Sequence, residues 1–243
     1  MKKESAELHV MWHVNCLLHA FPITIVTTID TKGRINAAPY SLVIPFCSSP
    51  QNPQMLLICN KNWHTAKNIA ATGEFVLNYP RADHIKDITK TSYFYPEGTN
   101  ELELTNYTTM AANTVAPPRI VECYQHVECR VYEIIRPSNN QINIVANVLD
   151  ISADAGLYDL PRLEQVNVAN APIYFGMDEE QQHIYGNVYE LVREEVNEVA
   201  ETKKGANTKR LFFKTCLSEL NNQTISISRF SGDYKKTFIR KFL

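Results

Sequence analysis

Apolar and polar positions alternate in short runs along most of this chain, and turn residues cut the runs apart. Residues 23–29, ITIVTTI, are a β-branched run that predicts a strand. Asp30, Thr31, Lys32 and Gly33 predict a tight turn, with Gly33 supplying a positive φ, and Arg34 to Ala38 begin the return strand. Leu42–Phe46, Met55–Asn60, Glu74–Tyr79, Arg119–Ile135 and Ile142–Leu149 are further strands by the same pattern. Ser48-Ser49-Pro50, Asn52-Pro53 and Pro137 to Asn140 separate them. Helical periodicity is sparser. Thr65 to Thr72 predicts a short helix with Thr65 as N-cap and Gly73 as its stop. In Asn187 to Glu201, Val188, Leu191, Val192, Val196 and Val199 fall on one stripe with glutamates opposite. Many short strands and few helices give an α+β, mainly β, barrel-like domain, with no internal repeat.

The pattern breaks after Glu201. Residues 1–202 form the predicted domain, and residues 203–243 form a basic appendage without sustained periodicity. The appendage holds ten cations and two anions, so it carries +8 and the remainder −10 within the net −2. An acidic main body argues against nucleic acid as a partner. Of 243 residues, 44% are hydrophobic and 21% charged, as in a globular chain.

Glycine changes the picture most. There are only 8, and the closest two, Gly176 and Gly186, are ten positions apart. That excludes GxGxxG and the P-loop, and no GxSxG is present, so the usual Rossmann, Walker and α/β-hydrolase chemistries are set aside.

Cysteines stand at 16, 47, 59, 123, 129 and 216 without a CxxC. Cys123 and Cys129, if extended in one strand, lie about 20 Å apart, too far to pair. The charged start does not look like a secretory leader, and no apolar run approaches the roughly 20 residues that span a bilayer. These features set up the expectation of a reduced, cytoplasmic protein with no membrane partner. On that expectation, the glycosylation-like tripeptides at Asn106 and Asn222 are chance matches. His9, His13 and Cys16 share a face if helical, but packing or solvation is the better account of them than zinc.

Two stretches have chemical potential. Asn36-Ala37-Ala38-Pro39-Tyr40-Ser41 is built from small residues that let a backbone approach a flat ligand such as a flavin or a nucleobase. Alone, it reads better as a tightly packed strand end. Lys61 to Ile69 joins a strand to a short helix, whose N-terminal amides and dipole suit a phosphate, with Lys61 and Lys67 adding charge. Alone, it reads better as an ordinary capped helix with two solvated lysines.

Read in order, the stretches resemble a known family. Thr27, Thr28, Asp30, Gly33, Asn36 to Pro39 and Ser41 match its first element. Thr65, Asn68 and Ile69 match the second, and Gly73 to Val76 with Asn78 the third. Pro118, Ile120, Glu122, Glu128 and Cys129 match the fourth. The chain resembles the flavin reductase-like domain of the FMN-binding split-barrel superfamily, in the style of flavoredoxin, over roughly residues 20–190. One position departs, with His64 standing where the pattern commonly has Asp.

The resemblance implies a Greek-key split barrel with a few peripheral helices, a homodimer, and FMN near the dimer interface. It implies a flavin ring against Asn36, Ala37, Ala38 and Ser41, and a phosphate held by Lys61, Thr65 and Asn68. Trp63 is placed either beside the cofactor or in the dimer interface. NAD(P)H is the implied electron donor, and a small molecule or free flavin the acceptor. Such chemistry needs no protein nucleophile and no metal, because the cofactor carries it. The leading expectation is an NAD(P)H oxidoreductase; the sequence does not separate it from an electron carrier reduced by a protein partner, and a non-catalytic FMN- or haem-type binding barrel is the third reading.

Overall fold

The computed structural model describes residues 3–7, 12–16, 19–178, 180, 182–187 and 191. In chain order the elements are α1 (Trp12–Asn15), β1 (Phe21–Pro22), β2 (Thr24–Ile29), β3 (Ile35–Tyr40), β4 (Val43–Cys47), β5 (Gln54–Asn60), α2 (His64–Thr72) and β6 (Glu74–Tyr79). Then come α3 (Ile85–Thr91), β7 (Thr109–Met110), β8 (Arg119–Ile120), β9 (Gln125–Ile135), β10 (Gln141–Ala153), α4 (Arg162–Ala169), β11 (Pro172–Met177) and β12 (His183–Asn187). Residues 1–191 form one compact unit. The remaining residues, including the basic appendage, lie outside the described set.

Seven strands form one antiparallel sheet in the order β3-β2-β6-β9-β10-β5-β4. The sheet curls into a split barrel, as the sequence led us to expect. Its two edge strands are consecutive in the chain and joined through Ser41 and Leu42 alone. Smaller sheets, β1-β11-β12 and β7-β8, accompany it.

Strand β2 is buried on both sides, with Thr24, Thr27 and Thr28 among its buried residues, because both of its faces are covered. Val26 enters the barrel core with Leu57, Ile69, Phe75, Leu77, Cys129 and Ile144. Ile23 and Ile25 point the other way, into a second core with Ala37, Ile88, Leu102, Tyr107, Ile120 and Cys123. The β2–β3 turn forms as its composition predicts. Gly33 takes φ 79°, its amide donates to the Asp30 carbonyl at 3.0 Å, and Asp30 Oδ1 accepts from the Lys32 and Arg34 amides at 2.8 and 2.9 Å.

Three expectations need correction. The stretch Arg119–Ile135 is two strands, because Val121 to Tyr124 turn the chain and the Cys123 amide bonds back to the Ile120 carbonyl. Cys123 therefore leaves the strand. It joins the second core while Cys129 joins the barrel core, and both thiols are free. Asn187 closes β12 opposite Pro172 instead of opening a helix, and the rest of that proposed helix, except Leu191, lies outside the described residues. Finally, α2 starts one residue early, with Trp63 as its N-cap. Thr65 sits inside the first turn and cannot cap it. The C-terminal stop stands as expected, with Gly73 at φ 75° and its amide bonded to the Ile69 carbonyl at 2.8 Å.

Candidate functional site

The two chemically suggestive stretches meet where β3 runs beside the start of α2. The sheet leaves the far side of β3 without a strand partner. Its Ala37 amide is satisfied there by a side chain from a distant segment, Glu101 Oε2 at 2.8 Å. Glu101 opens a short helical turn, Glu101–Leu104, whose Leu102 packs in the second core. The Asn36 carboxamide bridges the other carboxylate oxygen and α2. Turned one way, its nitrogen donates to Glu101 Oε1 at 3.3 Å and its oxygen accepts from Thr65 Oγ1 at 3.1 Å. Turned the other way, its nitrogen donates to Thr65 Oγ1. Asn36, Glu101 and Thr65 are all buried. Burial pushes the Glu101 carboxyl above the usual glutamate range, and the Ala37 amide opposes that rise.

Asn68, one turn after Thr65, donates to Thr28 Oγ1 on β2 at 3.1 Å. Thr65 and Asn68 therefore share a side of α2, as their spacing predicts, and that side faces the β2–β3 hairpin. Their polar atoms fasten the helix to the sheet. Lys61, just past β5, is exposed, as is Lys67. Ala38 and Ser41 are half-buried, whereas the side chain of Ala37 lies wholly within the second core.

No side chain caps α2. The amides of its first turn, from His64 onward, precede the first intrahelical bond, which runs from the Lys67 amide to the Trp63 carbonyl at 3.1 Å. Uncapped donors beside the exposed Lys61 fit a phosphate group. Next to them is a cleft of about 30 Å³ lined by Asp30, Arg34, Ile35, Asn36, His64, Asn68 and residues 97–99. It is too small for a flavin ring. Arg34 is fixed at its rim. The guanidinium pairs with Asp30 at 2.5 Å and Glu97 at 3.5 Å. It also lies where a side chain on Gly98 would have to be. The Arg34 amide, followed by the guanidinium, holds the Asp30 carboxyl below its usual range.

Sequence reading missed Glu101 and Arg34. Glu101 has no local signal, since it lies 64 positions from Ala37. Arg34 has one, an acid–base pair four residues apart across the Asp30–Gly33 turn. The Tyr40 hydroxyl is buried without a hydrogen-bond partner, and the Tyr40 ring contacts Trp63 at 6.1 Å between centroids. Among the described residues no cluster of histidine, cysteine and acidic side chains is arranged to hold a metal, and no helix is long and apolar enough to cross a membrane.

Comparison with known proteins bears on this geometry. A curated relative from Methanothermobacter thermautotrophicus, itself uncharacterised, is 34% identical over 116 residues, covering 46% of this chain and 52% of that one. The chain spans between 52% and 63% of the length of the curated relatives that it matches at 30% identity or more. A split-barrel protein from Shewanella frigidimarina shares the fold at a TM-score of 0.65 and 21% identity, covering 75% of this chain and 89% of that one. Flavoredoxin of Desulfovibrio vulgaris (Miyazaki F) does so at 0.65 and 19%, covering 81% and 98%. The model of the flavin reductase like domain matches residues 17–165, a span that contains β2, β3, α2 and Glu101, and the chain belongs to that family.

Proposed function

We propose that this protein binds FMN and acts as an oxidoreductase, accepting hydride from NAD(P)H and passing it to a small acceptor or free flavin. The observation that carries this reading is the uncapped start of α2 held against the small-residue edge strand β3 by Asn36 and Thr65. FMN supplies the hydride chemistry when bound, which agrees with a site lacking a nucleophile–base pair.

The chain's own residues have separable roles. The α2 amides and Lys61 bind the phosphate. The half-buried Ala38 and Ser41 offer a low surface to the ring, while the buried Asn36 and Ala37 hold that strand edge in place. Thr65 and Asn68 orient the phosphate site by fixing α2 to the sheet, and Asn68 also lines the adjoining cleft. In this reading the protein works as a homodimer in the cytoplasm, and Trp63, 38% exposed at the helix start, lies beside the cofactor.

FMN titration and steady-state NAD(P)H oxidation, with and without added free flavin, test the proposal. Tight FMN uptake with turnover is expected. Uptake without turnover identifies an electron carrier served by another protein, and no uptake at micromolar protein removes the proposal. Lys61→Ala should weaken FMN about ten-fold, the loss of one charge-assisted contact, and leave riboflavin binding unchanged. Equal losses for both ligands would remove Lys61 from the phosphate site.

A further inference from the structure

Glu101 touches both parts of the site, through Ala37 directly and through Asn36 to Thr65. The two orientations of the Asn36 carboxamide require different protonation of Glu101. With the carboxylate ionised, Oε2 accepts from the Ala37 amide and Oε1 accepts from Asn36 Nδ2. Asn36 Oδ1 then accepts from the Ala37 amide at 3.2 Å and from the Thr65 hydroxyl at 3.1 Å, so the Thr65 proton is committed inward. With a proton on Oε1, that oxygen donates to Asn36 Oδ1. The carboxamide must turn, and its nitrogen donates to Thr65 Oγ1. The Thr65 proton is then free to point elsewhere. The buried Tyr40 hydroxyl lacks a hydrogen-bond partner.

We propose that Glu101 is a positioning residue, and that Glu101, Asn36 and Thr65 form a reversible hydrogen-bond chain whose direction is set by one proton on Glu101. Its reversal carries a change of charge beneath β3 to the first turn of α2. The consequence for FMN rests on the function proposed above, whereas the chain itself does not.

Few charges compete for control. Asn36 and the Ala37 amide meet Glu101 from β3, and Thr65 closes the chain from α2. From α3, Asp87 is engaged by Lys90 and Asn106. Burial is the main cause of the carboxyl's raised proton affinity, and the Ala37 amide opposes it.

Glu101→Gln supplies the test, because glutamine mimics the protonated acid. Its oxygen accepts from Ala37 and its nitrogen donates to Asn36. Nitrogen-15 NMR of the cofactor-free protein between pH 4 and 8 should show the Ala37 amide and the Asn36 carboxamide titrating together, at one midpoint. In Glu101→Gln both should stand at their low-pH positions across the whole range. Thr65→Val removes a contact from both forms, but the ionised form keeps the Ala37 amide on Asn36 Oδ1 whereas the protonated form leaves Asn36 Nδ2 without its acceptor, so the shared midpoint should move to lower pH. Titration of either group in Glu101→Gln, or different midpoints for the two in the parent, overturns the chain. A second arm measures FMN affinity against pH, expected to follow the same midpoint in the parent and to lose it in Glu101→Gln. Affinity independent of pH in the parent, with the NMR titration intact, overturns the coupling to the ligand. Absence of FMN binding with that titration intact overturns the proposed function and leaves the chain standing.

Discussion

Two buried glutamates, Glu101 and Glu128, stand in contrasting surroundings. Burial pushes both carboxyls up. At Glu101 the opposition comes from backbone amides, chiefly Ala37, and the shift stays upward. At Glu128 the Thr114 hydroxyl, the Asn113 and Thr114 amides and the Arg119 guanidinium together outweigh burial, and the shift is downward. The contacts are short, 2.8 Å from the Asn113 amide and 2.6 Å from both Thr114 groups. Arg119 stands at 3.8 Å and spends its own donors on the Ala111 carbonyl, Asn113 and Ser152. The sign therefore follows the balance between burial and the donors aimed at the carboxylate, and Glu128 has the larger set of donors. Glu128 is a permanent ionic anchor for residues 111–114, while Glu101 is left with a choice of protonation state beside the candidate site.

The largest test of this contrast is Glu128→Ala, which strands Arg119 and two amides without their carboxylate. A loss of about 3–5 kcal/mol is expected in urea unfolding. A loss under about 1 kcal/mol would show that residues 111–114 need no anchor. Glu101→Ala orphans mainly the Ala37 amide and should cost less, about 1–3 kcal/mol.

The pH dependence should then separate the two residues by sign. An unfolded glutamate titrates near pH 4.3. The Glu128 contribution is present above that value and is lost as pH falls through its lowered folded value. The Glu101 contribution is present below it and is lost as pH rises through its raised value. Differences in unfolding free energy between parent and each Glu→Gln variant, measured from pH 3 to 8, should slope in opposite directions. Parallel slopes would remove the distinction. The smallest effect concerns the segment that carries Glu101. Gly98→Ala, at φ +86° and against the Arg34 guanidinium, should cost about 1 kcal/mol. Crystallography of the variant should show Arg34 displaced while Glu128 and its donors stay in place.

These contrasts also explain what the sequence could reveal. The β2–β3 hairpin is written locally, in a β-branched run, Asp30 and Gly33. So is the β5–α2–β6 unit, through its apolar spacing and Gly73. The candidate residues Asn36, Thr65 and Asn68 were legible because they lie in these units. Their partners were not all so visible. Thr65 looked like a cap because hydroxyls favour that position, but tertiary contact with Asn36 takes its side chain inward. Glu101 and Glu128 carry no periodic mark, because their roles depend on donors 64 and 14 or 15 positions away. The turn at Val121–Tyr124 hid inside a β-leaning run because no glycine or proline announces it.

The two-residue connection from β3 to β4 has a mechanical consequence. Tyr40 and Val43 are three Cα steps apart, so the covalent chain limits their separation to about 11 Å. Leu42 is tied down further by its carbonyl, which accepts from the Ile58 amide at 3.0 Å. The two free edges of the sheet are thus leashed at one end, and any widening of the split must grow with distance from Ser41. That end is a pivot, and a ligand seated against Ser41 would rest where the breathing of the barrel moves it least.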